Sequence, residues 1–135
     1  MERDTLKGLG AIGVVIDVLP PELPREGVTD AMLRARLIAK LSAAGFVIGD
    51  SSRAFAGLRL IAVRDTRGPY AVAVTLGLYQ PAILSRDPGL RTVPETWSAD
   101  TILMAQPKIL PQAALDSVDD LAARLAAAWR EANHK

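Results

Sequence analysis

Between Tyr70 and Tyr79 the chain alternates two sizes of apolar residue: Val72, Val74, Leu76 and Leu78 fall on one parity, and Ala71, Ala73, Thr75 and Gly77 on the other. Successive side chains of a strand point to opposite faces, so this segment is predicted to turn a bulky row toward a core and a small row away from it. Such a strand needs neighbours to form a sheet and a cover for its bulky side.

Two amphipathic helices can supply the cover. The first is predicted from Asp30 to the residue before Gly45, with Thr29 as N-cap, Asp30 favoured by the helix dipole, Val28 placed to staple onto Leu33, and Gly45 closing the helix. Leu33, Leu37, Leu41 and Ile38 form its apolar stripe, flanked by Arg36 and Lys40. Arg34 projects between Leu41 and Ile38, either as a guanidinium passing the stripe to reach water or as an anchor for a carboxylate or a partner. The second helix begins between Pro111 and Ser117 and runs to about Asn133. Its stripe is Leu115, Val118, Leu121, Ala122, Leu125 and Trp129, with Asp116, Asp119, Asp120, Arg124, Arg130 and Glu131 opposite. Ser117 and Asp120 have capping-box spacing, and Asp119 and Asp120 read as helix-N-terminal acids. Neighbours on a helix diverge by about 100°, so these two aspartates do not form a catalytic dyad.

Three more strands are predicted over Ile12–Leu19, Leu58–Val63 and Glu95–Met104. The segment Pro20-Pro21-Glu22-Leu23-Pro24 ends the first, because prolines lack donors and restrict their predecessors, so neither helix nor central strand is expected through it. A polar loop holds Asp50-Ser51-Ser52; Arg64 to Pro69 carries hairpin-like turn chemistry; Pro81 bulges the continuation through Ala82-Ile83-Leu84; Arg86-Asp87-Pro88-Gly89 reads as a turn. The expected fold is an α+β two-layer sandwich in β-α-β-β-β-α order. Its sheet is four-stranded and mostly antiparallel, with two helices on one face. At 135 residues the chain is expected to be one domain, with a flexible segment over 1–10 and a tail at 134–135.

Several chemistries lack their residues. The chain has no cysteine, hence no disulfide, thiolate nucleophile or iron–sulfur ligation. Its single histidine, His134, is the penultimate residue, so no metal site, cofactor or histidine-based triad is expected. Gly8-Leu9-Gly10-Ala11-Ile12-Gly13 has the spacing of a phosphate loop, but its last glycine already lies in a strand and a proline break follows. Sixteen basic residues face fifteen acidic ones without clustering, and 4% aromatic content leaves few stacking platforms, so nucleic-acid binding is not expected. Arg59, Arg64 and Arg67 read as solvated strand-edge charges. No apolar run approaches the ~20 residues of a membrane span.

The informative surface is the far side of the predicted sheet. Val15, Ile61, Val63, Ala71, Ala73 and Thr75 point away from the helices, and Asp17 lies opposite Ile12, Val14 and Ile16. A moderately apolar face left open by a one-sided cover is suited to contact another molecule.

The segments Thr5-Leu6-Lys7-Gly8-Leu9, Val14-Val15-Ile16-Asp17, Gly27-Val28-Thr29-Asp30-Ala31-Met32-Leu33, Leu41-Ser42-Ala43-Ala44-Gly45-Phe46-Val47 and Glu95-Thr96-Trp97, with the closing helix to Asn133, resemble a family of small, uncharacterised, exported bacterial proteins. The resemblance implies a signal peptide on the precursor and a periplasmic location, and it transfers no catalytic residue. The chain departs from that pattern in its alanine-rich last helix, where the family carries larger apolar residues. The architecture is similar to small α+β modules of envelope assembly and lipoprotein factors, a fold-level likeness without a site. The expected function is a non-enzymatic periplasmic interaction or assembly module, engaging a protein partner or a second copy through the open face. The alternative is a carrier of a small ligand or lipid in a groove between helices and sheet.

Overall fold

The structure, a computed structural model, describes residues 5–49 and 53–134. The Glu2-Arg3-Asp4 start, the Asp50-Ser51-Ser52 loop and Lys135 lie outside the described residues. Among those described, the elements are β1 (Ala11–Ile16), α1 (Glu22–Arg25), α2 (Asp30–Ala44), β2 (Val47–Ile48), β3 (Phe55–Arg64), β4 (Tyr70–Tyr79), β5 (Ala82–Leu84), β6 (Asp87–Thr92), β7 (Glu95–Ala105) and α3 (Leu110–Asn133). The fold is mixed α+β. Its main sheet has five strands rather than four, in the order β2-β1-β3-β4-β7, and β5 and β6 form a separate two-stranded sheet. β1 runs parallel to both β2 and β3, whereas β3–β4 and β4–β7 are antiparallel.

Alternation decides which residues are buried. Ile12, Val14 and Ile16 of β1, Ala56, Leu58 and Leu60 of β3, Tyr70, Val72, Val74, Leu76 and Leu78 of β4, and Trp97 and Ala105 of β7 share one core cluster. Leu33, Leu37 and Leu41 of α2 belong to it, as do Leu110, Ala114, Val118, Leu121, Ala122, Leu125 and Ala128 of α3. Burying a side chain of leucine size is worth roughly 1.5–3 kcal/mol, so this cluster is the main source of stability.

The first helix keeps its sequence boundaries. The Thr29 hydroxyl accepts from the Met32 amide, and Gly45 adopts φ of 115°, where a Cβ would also approach the Trp129 ring at 3.3 Å. The proline stretch holds a helix after all, the single turn α1. Pro21 is its N-cap and Pro24 its third residue, positions whose amides have no intrahelical partner to lose. α3 starts at Leu110, one residue before the expected range. Ser117 is therefore not a cap: it is buried mid-helix, with its hydroxyl donating to the Ala113 carbonyl at 3.0 Å. Asp119 and Asp120 likewise sit beyond the first turns, and each has an ion partner instead.

Asp119 receives two hydrogen bonds from Arg36, at 2.7 and 2.8 Å, which bridge α3 to α2. These bonds hold the Asp119 carboxyl below its ordinary value of 3.8 and raise the Arg36 guanidinium in turn. A carboxylate with a depressed folded-state value stabilises the fold above its unfolded value, and that contribution is lost as pH falls through the folded one. Asp119→Asn is therefore expected to unfold more easily than the native chain at neutral pH. The difference should shrink as pH drops below the ordinary carboxylate range, as checked by denaturant melts across pH.

At the other end of α3, Trp129 stacks on Phe46 with ring centroids 4.3 Å apart, and its indole N–H donates to the Leu9 carbonyl. Asn133 donates to the Leu6 carbonyl at 2.9 Å and accepts from the Gly8 amide at 2.7 Å. Leu6, within the stretch expected to be flexible, is fully buried.

Candidate functional site

The register of the sheet places the outward residues in rows. Val63, Ala71 and Met104 form the first, and Ile61, Ala73 and Ile102 the second. Arg59, Thr75 and Asp100 form the third, with Asp17 beside it just past the Ile16–Leu58 pair. Val15, Gly57, Gly77 and Ser98 form the fourth, and Phe55, Tyr79 and Glu95 the fifth. Val15, Asp17, Ile61, Val63, Ala71, Ala73 and Thr75, read from sequence as one surface, thus share one face. Val15, Asp17, Ile61 and Val63 are exposed, and the residues from β4 are half-buried between their neighbours.

The face has two halves. Ile61, Val63, Ile102 and Met104 are 54%, 67%, 75% and 69% exposed and make an apolar patch on two adjacent rows. Beyond the Arg59 row, the opposed glycines Gly57 and Gly77 remove a row of side chains and leave a cleft of about 130 Å³. Val15, Asp17, Phe55, Arg59, Thr75 and Tyr79 line it. Glycine at both positions makes room for the close approach of the Tyr79 ring. A Cβ would lie 3.2 Å from that ring at Gly57 and 3.1 Å at Gly77, and at Gly77 it would also collide with the Glu95 carboxylate. The ring is fixed by stacking on Phe55 at 4.9 Å between centroids. A β-bulge between Leu78 and Tyr79 breaks the alternation and brings Glu95 onto this face.

Asp17, Glu95 and Asp100 set three carboxylates against Arg59, and these side chains make no ion pair among the described residues; Arg124 reaches the rim, donating to the Asp100 carbonyl at 3.1 Å, but its charge is paired with Asp120. The face is therefore net acidic. Arg34 is elsewhere: its guanidinium donates to the Val14 carbonyl at 2.8 Å and lies 3.6 Å from Asp30. β2 stops opposite Ile12, so Arg34 serves a β1 carbonyl that this short strand does not reach.

A second cleft lies between α2 and α3, where Ala43, Ala44, Ala122, Ala123 and Ala126 are flanked by Lys40 and Arg130. Residues of α2, α3 and the main sheet share one core cluster. Among the described residues, no group of three acidic, histidine or cysteine side chains is arranged to hold a metal ion. No helix of the described residues is long and apolar enough to cross a membrane.

Sequence reasoning missed Phe55 and Gly57, because strand formation was expected to begin only at Leu58. It also missed Ile102 and Met104. In β7 both parities carry apolar residues at the far end, Leu103 and Ala105 on one side and Ile102 and Met104 on the other, so alternation alone does not say which faces water.

No family model matches the chain, and no curated protein matches it. Among solved structures it is similar to a PelC variant dodecamer from Paraburkholderia phytofirmans, with a TM-score of 0.49, 15% identity, and 90% of this chain and 88% of that chain covered. It is also similar to a minor lipoprotein from Acinetobacter baumannii, with a TM-score of 0.36, 12% identity, and 90% and 91% covered.

Proposed function

We propose that this protein is a non-enzymatic interaction module of the periplasm, in which α2 and α3 cover one face of the sheet and the uncovered face engages a protein partner or a second copy. The observation that carries the reading is the apolar patch of Ile61, Val63, Ile102 and Met104, four large side chains on adjacent rows, each more than half exposed. Isolated exposed apolar residues are ordinary on any protein, but contiguous ones beside a polar rim favour a contact surface. The periplasmic location rests on the sequence resemblance. The non-enzymatic reading rests on the sequence, which has no cysteine and a single histidine, the penultimate His134.

Photo-crosslinking in native cells tests the reading. A crosslinking residue at Ile61 or Ile102 is expected to trap one defined product, whereas the same residue at Ala35 or Ala127, on the exposed sides of α2 and α3, traps none. Products from the helix positions alone would move the contact surface to the other side of the protein.

A further inference from the structure

The segment between β4 and β7 is an arm. β5 and β6 pair only with each other, and β6 is exposed along its whole length. Ile83, Leu90 and Val93 are 58%, 48% and 49% exposed on it. An isolated two-stranded hairpin is marginal in water, and edges that carry apolar side chains invite a cover. The arm is also cationic: Arg86 and Arg91 stand against Asp87, and Arg53 lines a cleft with Ile83 and Arg91 at its side.

Building on the open face as a contact surface, we propose that its occupant is the β5–β6 arm of a second copy of this chain, docked head to tail. The arm and the face complement each other in both respects that matter. Arg91 of the arm meets the carboxylates of Asp17 and Asp100, and Ile83, its cross-strand partner on the same face of the hairpin, lies on Ile61 and Ile102. A symmetric face-to-face pair fares worse, because it would set two net-acidic surfaces against each other. The arm does not cover its own apolar patch: it springs from the Tyr79 end, while the Ile61–Ala73–Ile102 row lies roughly 20 Å further along the strands at ~3.3 Å per residue, and Ile61 and Ile102 are left exposed. Donor and acceptor are different parts of the surface, which makes the contact heterologous, and such contacts grow into rings or chains rather than stopping at a dimer.

Sedimentation of the full chain at up to about 100 µM, enough to populate contacts of micromolar strength, tests this. The native protein is expected to sediment as species larger than a dimer. An arm variant, Ile83→Asp with Arg91→Glu, and a face variant, Ile102→Arg, are each expected to be monomeric, with thermal melts like those of the native chain because all three sites are exposed. An equimolar mixture of the two variants should form a dimer and nothing larger, since one intact arm meets one intact face and neither free end propagates. A native chain that stays monomeric, or an arm variant that associates like the native chain, overturns the proposal. Crosslinks from Ile61 to a different protein, found together with a monomeric native chain, would leave the open face as a contact surface and remove only the head-to-tail occupant. No crosslink from the face at all would remove both.

Discussion

Leu125→Ala is expected to lower stability by about 2–5 kcal/mol, with a fall in Tm of roughly 10 °C. Leu125 is fully buried in the cluster that α2, α3 and the inner row of the sheet build together. Truncating it removes transfer free energy and leaves a cavity, because its close-packed buried neighbours limit how far the site can collapse. Denaturant melts of the two proteins check the value. A change below about 1 kcal/mol would mean that α3 does not lie with that stripe on the sheet.

The second large effect is expected at Trp129. Its ring stacks on Phe46 and closes over Gly45, and its indole N–H is bonded to the Leu9 carbonyl. Trp129→Ala should cost about 3 kcal/mol, combining lost burial, lost stacking and a carbonyl without its donor. Trp129→Phe keeps the stack and loses the N–H, so its cost should be nearer 1 kcal/mol. Amide exchange separates the two contributions: in both variants protection at Leu6 to Leu9 should fall, while protection in α2 should fall only in the alanine variant.

Where one local cause determines an element, the sequence exposed it. Thr29 and Gly45 bound α2 by their own capping chemistry, and the strict bulky and small alternation of Tyr70 to Tyr79 gave β4 its boundaries and both of its faces. What was hidden depends on neighbours. β2 is two residues long and forms only because Gly10, just before β1, and Ile12, within it, present carbonyls to Val47 and Gly49. Phe55-Ala56-Gly57 has little strand propensity of its own and is held by pairing on both sides, with β1 and β4. Arg86 to Gly89 carries turn residues, yet Asp87, Pro88 and Gly89 open β6, where the exposed arm edge tolerates a proline. The outward rows followed the same division. That Val15, Ile61, Val63, Ala71, Ala73 and Thr75 share a face was legible from parity, whereas the cleft required knowing that Gly57 and Gly77 stand opposite one another.

The clasp between Asn133 and the Leu6 to Gly8 segment joins groups 125 residues apart in the chain. During synthesis this segment emerges early, and its contacts with the sheet, from Gln80 to the Thr5 carbonyl and from the Thr5 hydroxyl to the Thr96 carbonyl, have their partners before the last helical turn is made. The Asn133 bonds can close only once that turn exists, so this corner of the fold has one fastening available early and a second available late.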